Sequence, residues 1–527
     1  MPEPRFPLAT VAAGWVAEID GGAILAPAGA SWTARWWVAE GDSWRQPSTE
    51  PTVRTRLIDE MGVVETAVRV ASGDVVSRAR AFVPAGTSSA AIGIDIANDT
   101  PIPVAVAVVI GPVHHAELRG EALSVDGQVV ARFARHPSRW AGASTLDELS
   151  QVVTPEGDPD GELHFESGGW VAVVTPVPHQ ASLEYVIGLD TGENYPVPPS
   201  AEQVASGWSS HADRGARIEP ADPNDAASLR RGRALLAGVL LDDSTPLATV
   251  AAVGRAAVRL GWDDQATLAA GLLADAQDGR GAVGDPDTTV AAVDVWAGRW
   301  RLGATPDEME PALLPIASAV TSLTRGRGLR RSVPAFSDPS GVLRSAAAMA
   351  ESLEQSSLAR GLVHAAEVAQ PHSPERSAPG PGPWGVAHDD DGSVDVGAVA
   401  QSVCDLVDAL VEDRGRDVAL LQGWQVDQAG TAVECHAVPT SVGLVSFAVR
   451  WHGRRPALLW EVAPWPGRPA ATLRTPRLDP TWSTTTVEGD ALLAEPDGIG
   501  TTIANATLDV VGGTIVIDGP AEGTSFS

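Results

Sequence analysis

The sequence predicts a multidomain α and β protein. An N-terminal antiparallel β-sandwich (1–215) is followed by a central α/α helical-hairpin domain (216–417) and a small C-terminal β-domain (418–527). Three observations carry this: a period-two apolar pattern up to about Asp213, a change to helical spacing around Ala221-Asp-Pro-Asn-Asp225, and the return of alternation after Asp417. With 527 residues and 44% hydrophobic content the chain has material for several cores, since domains usually hold ~100–200 residues.

The first region alternates in runs such as Ala91-Ile-Gly-Ile-Asp-Ile-Ala97 and Val104-Ala-Val-Ala-Val-Val-Ile110, which sends every second side chain into a core. Turn signals at Asn98-Asp-Thr-Pro101 and Glu156-Gly-Asp-Pro-Asp-Gly161 separate the runs, and no comparably long helical pattern is read there. In the second region Leu235, Leu236, Val239 and Leu240 share a helical face, and the break at Asp242-Asp-Ser-Thr-Pro246 starts a helix through Leu260. Further helices follow Trp262-Asp-Asp264 and Asp287. The next begins at Thr305-Pro-Asp-Glu308, which has the hydroxyl, proline and carboxylate of a capping box. Its apolar face runs Leu313, Ile316, Val320, Leu323. Segments near 341–353, 358–369 and 396–411 bring the count to about eight, and short links make neighbours antiparallel hairpins. In the third region Ser446–Trp451 and Ala457–Val462 read as a hairpin around Gly453, with strand-like runs at Thr501–Val511 and Gly513–Ile517.

Charge narrows the function classes. Arginine supplies all 37 basic residues against 67 acids, and a net charge of -30 repels nucleic acid and anionic membrane. Cys404 and Cys435 are the only cysteines and form no CxxC, so neither a disulfide framework nor a cysteine metal site is expected. No apolar leader or ~18-residue apolar run occurs, and the reading is a cytoplasmic protein without membrane insertion. The chain has 17 Trp against 2 Tyr, and indole faces stack on sugar rings, although most indoles fill cores. Trp296 and Trp300 share a face with Val293 and are assigned to a core.

The order sandwich, hairpins, small β-domain resembles the six-hairpin glycosidases, which include glucoamylases and glycogen-debranching-type enzymes. The resemblance is clearest along Leu260-Gly-Trp-Asp-Asp-Gln, Asp275-Ala-Gln-Asp-Gly-Arg, Gly284-Asp-Pro-Asp-Thr-Thr and Val293-Asp-Val-Trp-Ala-Gly-Arg-Trp, and extends into Thr305-Pro-Asp-Glu. It implies an outer helix, a loop ending in an Asp at the mouth of a barrel, and an inner helix. Asp287, with Asp285 beside it, is then the catalytic or substrate-contacting carboxylate. An ordinary helix N-cap is the competing reading of the same residues. Trp262 and Asp263 carry the same ambiguity, as sugar contacts or as a helix start.

Two departures set limits on the resemblance. The segment has room for about eight helices, so the expected ring is a partial toroid. Where such enzymes carry a Trp-Glu-Glu-like acid element, this chain has Thr324-Arg-Gly-Arg-Gly-Leu-Arg-Arg-Ser-Val333. Inverting hydrolysis needs two carboxyls about 6.5–9.5 Å apart, and only one is nominated. The reading is a carbohydrate-binding or carbohydrate-processing protein that, if active, is an inverting glycoside hydrolase; the alternative is a non-catalytic scaffold of the same build. A glycan or sugar-containing small molecule is the expected partner.

Two further clusters stand out. The loop holding Trp384, His388 and Asp389 is a candidate sugar contact or a solvated acidic loop. Arg325, Arg327, Arg330 and Arg331 form the densest basic cluster, able to hold a phosphate or carboxylate or to pair with the chain's own acids. No nucleotide, zinc-protease or serine-hydrolase signature occurs, and neither cofactor nor metal is expected.

Overall fold

The computed structural model describes residues 5–11, 13–41, 43–58, 62–87, 89–155, 163–188, 195–325, 339–368 and 394–497, with Leu163 and Arg325 as backbone only. The expected strands Thr501–Val511 and Gly513–Ile517 lie outside the described residues, as do Trp384, His388, Asp389, Arg327, Arg330 and Arg331.

Two antiparallel sheets of eight and nine strands build the N-terminal region. The strand Val104–Val113 lies inside the first, between Thr33–Ala39 and Gly169–Val177. It is buried at every position except Pro112 because both of its faces are covered. Val104, Val106, Val108 and Ile110 meet Val64, Ile94, Ile96 and Tyr185 of the second sheet in one shared core. Ala105, Ala107 and Val109 point the other way, under Leu149 of helix α1 (Leu146–Val152). Alternation is thus real in the backbone and hidden in the hydropathy, as expected for a doubly covered strand.

Helix α2 (Ala201–Ala212) follows, and neither it nor α1 is anticipated by the sequence reading. Its local signal is a complete capping box between Ser200 and Gln203. The remaining helices are α3 (Pro223–Ala237), α4 (Leu247–Leu260), α5 (Asp263–Asp275), α6 (Pro286–Gly298), α7 (Pro306–Arg325), α8 (Pro339–Ser352), α9 (Ser356–Val368) and α10 (Val396–Leu410). These eight match the expected segments. The capping box at α7 forms as read: Thr305 N–H donates to Glu308 Oε2 at 2.7 Å, and Glu308 N–H to Thr305 Oγ1 at 3.4 Å.

The helices sort into two rows by burial. In α6 every residue from Thr288 to Gly298 is buried, whereas α5 buries only Ala266, Ala269, Ala270 and Leu273. Helices α4, α6, α8 and α10 pack as an inner row, with α10 between α3 and α4; α5, α7 and α9 cover its outside. Gly254 of α4 sits against Ala269 and Val295, and Gly298 against Val258, so α4 and α6 run parallel with α5 antiparallel between them.

The C-terminal strands make two sheets. The hairpin Gly443–His452/Arg455–Pro464 closes at the His452–Arg455 pair, with Gly453 at φ 63°. Strand Arg217–Glu219, which precedes the helices in sequence, is the edge of this same sheet through Val433–Pro439. One continuous core runs from the helices into these sheets. The C-terminal region covers the C-terminal end of the inner row: Arg468 stacks 3.5 Å from the Trp300 ring centroid and donates to the carbonyls of Trp300 and Ala304.

Candidate functional site

With one end of the inner row covered, its opposite end, where α4, α6 and α10 begin, is the candidate mouth. The loop before α6 is pinned there. Gln277 donates to the Pro315 carbonyl at 2.9 Å, and Thr289 Oγ1 both donates to the Val283 carbonyl and accepts from the Val283 N–H. Gly281, at φ 88°, lies so close to Ser318 that an added Cβ would come within 2.1 Å of its carbonyl oxygen. A side chain here would push the loop off α7.

This rigid loop fixes Asp285 and Asp287. Asp285 is exposed, and its Oδ1 accepts from the Thr288 N–H at 2.7 Å as the N-cap. Asp287 is half-buried in the first turn and has an interaction partner. Asp395 caps α10, accepting from the Ala398 N–H at 2.9 Å. Carboxylates in these positions are favoured by the positive ends of the helices.

Behind the mouth the inner row is closed by charge. Asp294 of α6 is buried and receives Arg255 Nε at 2.9 Å and Arg259 Nη1 at 3.0 Å, both from α4. Arg259 Nε also reaches Asp408 of α10 at 2.9 Å, and Arg255 Nη1 donates to Gln401 at 2.7 Å. These pairings make α10 parallel to α4. Burial opposes ionisation of Asp294, but Arg259 and Arg255, with Arg301 beyond them, hold its carboxyl far below the ordinary range. Arg301 continues the chain to Asp413 at 3.2 Å, whose two oxygens also accept from the N–H groups of Gly415 and Ser441. Burial pushes the Cys404 thiol beside this network up to about 11, so it remains protonated. An ionised carboxylate already held by two guanidiniums has no proton to give. Asp294 and Asp413 therefore bind the helices together.

The structure separates the residues nominated from sequence. Trp262 is 3% exposed and its indole N–H donates to the Arg214 carbonyl at 2.7 Å, so its face is spent on the core. Asp263 opens α5 and is exposed. Ala269 and Val295 mark a common level on α5 and α6; Asp263 and Asp285 lie on opposite sides of it, about 24 Å apart along the helix axes at 1.5 Å per residue. Trp262 and Asp263 are at the covered end and Asp285 and Asp287 at the opposite one, so among the described residues no single site holds both pairs. The backbone of α7 carries Arg325 toward the end of Asp285, since Gln277 and Gly281 meet α7 at Pro315 and Ser318. Trp296 and Trp300 are buried as expected, with the Trp296 N–H donating to the Ala270 carbonyl at 3.0 Å.

Sequence reading missed Arg255, Arg259 and Asp294. Their signal was present: two arginines in Leu247-Ala-Thr-Val-Ala-Ala-Val-Gly-Arg-Ala-Ala-Val-Arg-Leu260 and one Asp in Val290-Ala-Ala-Val-Asp-Val-Trp-Ala-Gly298 are charges in apolar helices, and buried charges need partners.

No family model matches the sequence, and no curated protein matches it. Among solved structures the chain is similar to a bacterial glucoamylase complexed with acarbose, at 10% identity and a TM-score of 0.43, over 69% of this chain and 66% of that one. It is also similar to a glycosyl hydrolase of family 92, at 12% identity and a TM-score of 0.23, over 58% of this chain and 50% of the other. A polysaccharide lyase shares 9% identity at a TM-score of 0.16, over 70% and 82% respectively. The chain thus spans about two-thirds of the glucoamylase and half of the family 92 protein, and the likeness is distant.

Proposed function

We propose that the chain is a carbohydrate-binding protein built as a partial α/α toroid, taking a sugar at the mouth formed by the starts of α4, α6 and α10. Asp287 is the ligand-contacting carboxylate and Asp285 the cap that holds its turn. The layout supports this: inner helices run parallel, outer helices return between them, and a β-domain covers one end. One observation carries the non-catalytic half of the reading. The carboxylates deep in the row, Asp294 and Asp413, are committed to arginines and backbone donors, so neither serves as the second acid an inverting hydrolase needs.

The test is a calorimetric titration with malto-oligosaccharides beside a turnover assay on an aryl-glycoside panel. Saturable binding that weakens at least tenfold in Asp287→Asn, with no sugar released, supports the proposal. Release of sugar that is lost in Asp287→Asn replaces it with the hydrolase reading. Absence of both binding and release ends the carbohydrate assignment.

A further inference from the structure

A cavity opens at one end of the sandwich, where the chain crosses twice between the two sheets. The first crossing, 134–138, leads from strand Gln128–Phe133 to strand Arg139–Ala143, and the second, 178–181, from Gly169–Val177 to Ser182–Ile187. The cavity beside them has a volume of about 560 Å³, inside the range of ordinary small-molecule sites, roughly 300–1,000 Å³. Arg135 stands on the first crossing and Asp99 on the turn after strand Ala91–Asn98, while Thr175, Val177 and Leu183 line the cavity from the strands.

The walls are tied together through the backbone. Ala134 N–H donates to the Glu184 carbonyl at 2.9 Å, holding the first crossing to Ser182–Ile187, and Gln180 N–H donates to the Asn98 carbonyl at 2.9 Å, holding the second to the turn of Asp99. Asn98 is 1% exposed, and its side-chain amide donates to the carbonyls of Ile102 at 2.8 Å and Val177 at 3.1 Å, which fixes that turn. Within this frame three polar groups are unspent. Thr175 shares the strand face of Val173 and Val177, which points into the core between the sheets; it is 6% exposed, and its hydroxyl has no hydrogen-bond partner among the described residues. Buried polar groups are ordinarily bonded, so this hydroxyl is left for a group from outside. Arg135 and Asp99 are exposed and make no ion pair, with each other or with any other described residue.

We propose that this cavity binds a small aliphatic zwitterion, an amino acid or a dipeptide. Its carboxylate sits at Arg135, its ammonium at Asp99, its aliphatic side chain against Val177 and Leu183, and one of its oxygens accepts from the Thr175 hydroxyl. An unpaired cation and an unpaired anion in one lining complement a ligand that carries both signs, whereas a singly charged molecule leaves one of them unmatched. The forked guanidinium is the ordinary partner of a carboxylate, and the apolar part of the lining rewards burial of a side chain. This site shares no residue with the sugar mouth, and the proposal is independent of that reading.

The test uses the full chain with leucine and leucyl-leucine as the zwitterions, N-acetyl-leucine as the anion alone, leucinamide as the cation alone and glycine as the zwitterion without an aliphatic body. Calorimetric titration and melting temperature are followed. At least one leucine zwitterion is expected to bind saturably and raise the melting temperature, with the three reference molecules each at least tenfold weaker. Which zwitterion binds tighter separates amino acid from dipeptide. Arg135→Gln and Asp99→Asn, both at exposed positions, are each expected to weaken it at least tenfold. Thr175→Val, which keeps the shape and removes the hydroxyl, is expected to weaken it at least threefold without lowering the melting temperature of the unliganded protein, because the lost hydroxyl had no partner. The proposal is overturned if neither leucine zwitterion binds, if any reference molecule binds as well as they do, or if any of the three variants binds them normally. If Thr175→Val does not fold, the two surface variants decide.

Discussion

Arginine does opposite work in two parts of this molecule. In the inner helical row Arg255, Arg259 and Arg301 are buried and matched to Asp294, Asp408 and Asp413. On the sandwich surface Arg5 and Arg54 pair with Glu18 and Asp74 through arginine side chains 46% and 67% exposed. A guanidinium paired inside the protein sets the geometry of helices; one paired at a wet surface contributes little. Residue type alone does not separate the two roles, and burial and partners do. The difference predicts a large stability effect in the first place and a small one in the second.

Breaking the matched network should give the largest response. Asp294→Asn leaves Arg255 and Arg259 buried without their shared counter-charge, and removal of one member of a buried pair costs about 3–5 kcal/mol. The expected result is an early unfolding transition of the helices in denaturant titration. Replacing Asp294, Arg255 and Arg259 together by Leu, Met and Met should recover most of the loss, because the one acid left without its arginine, Asp408, is partly exposed to water. The pH dependence follows from the lowered carboxyl of Asp294: its contribution is complete above the unfolded-state value near 4 and fades as pH falls through the lower folded value. The gap between wild type and Asp294→Asn should be flat above about pH 5 and shrink below about pH 4. A gap that widens in acid would show that the carboxyl is not ionised in the folded protein.

The contact that covers the C-terminal end of the row comes next. Arg468 donates to the carbonyls of Trp300, Ser441 and Ala304 while stacking on Trp300. Arg468→Ala should cost about 2–3 kcal/mol, the scale of charged hydrogen bonds lost at a partly buried site. Arg468→Lys should recover only part, since an ammonium cannot fork to several carbonyls and stack at once. Limited proteolysis would read the change as faster cutting at the turn Trp465–Arg468.

How far the sequence reaches can be judged from particular residues. The eight central helices were legible because apolar spacing and caps are local, and the box at Thr305 and Glu308 formed as written. Helices α1 and α2 were masked by flanking strands, although Ser200-Ala-Glu-Gln203 carried a cap signal. The pairing of Arg217–Glu219 with Val433–Pro439 joins residues more than two hundred apart in sequence, which no local pattern encodes. The same holds for Arg255 and Asp294: each charge is visible in an apolar helix, but its partner is named only by packing. Asp263 and Asp285 lie far apart because consecutive antiparallel helices begin at opposite ends of their layer.

That last point yields the smallest expected effects and the cleanest discrimination between the two helix starts. Asp285→Ala removes the N-cap bond to the Thr288 N–H and should cost about 1 kcal/mol, with Asp285→Ser recovering most of it. Asp263 makes no side-chain cap at α5; beside the exposed Asp264 it contributes only a charge near the helix start, so Asp263→Ala should cost about 0.3–1 kcal/mol and less in high salt. The decisive comparison is in ligand affinity. Asp285→Ala loosens the turn that holds Asp287 and should weaken sugar binding at the mouth by more than its stability cost explains, whereas Asp263→Ala, about 24 Å away along the row, should leave it unchanged. Equal weakening by both would move the ligand away from the N-terminal mouth of the inner helices, and weakening by Asp263→Ala alone would place it at the end covered by the C-terminal sheets.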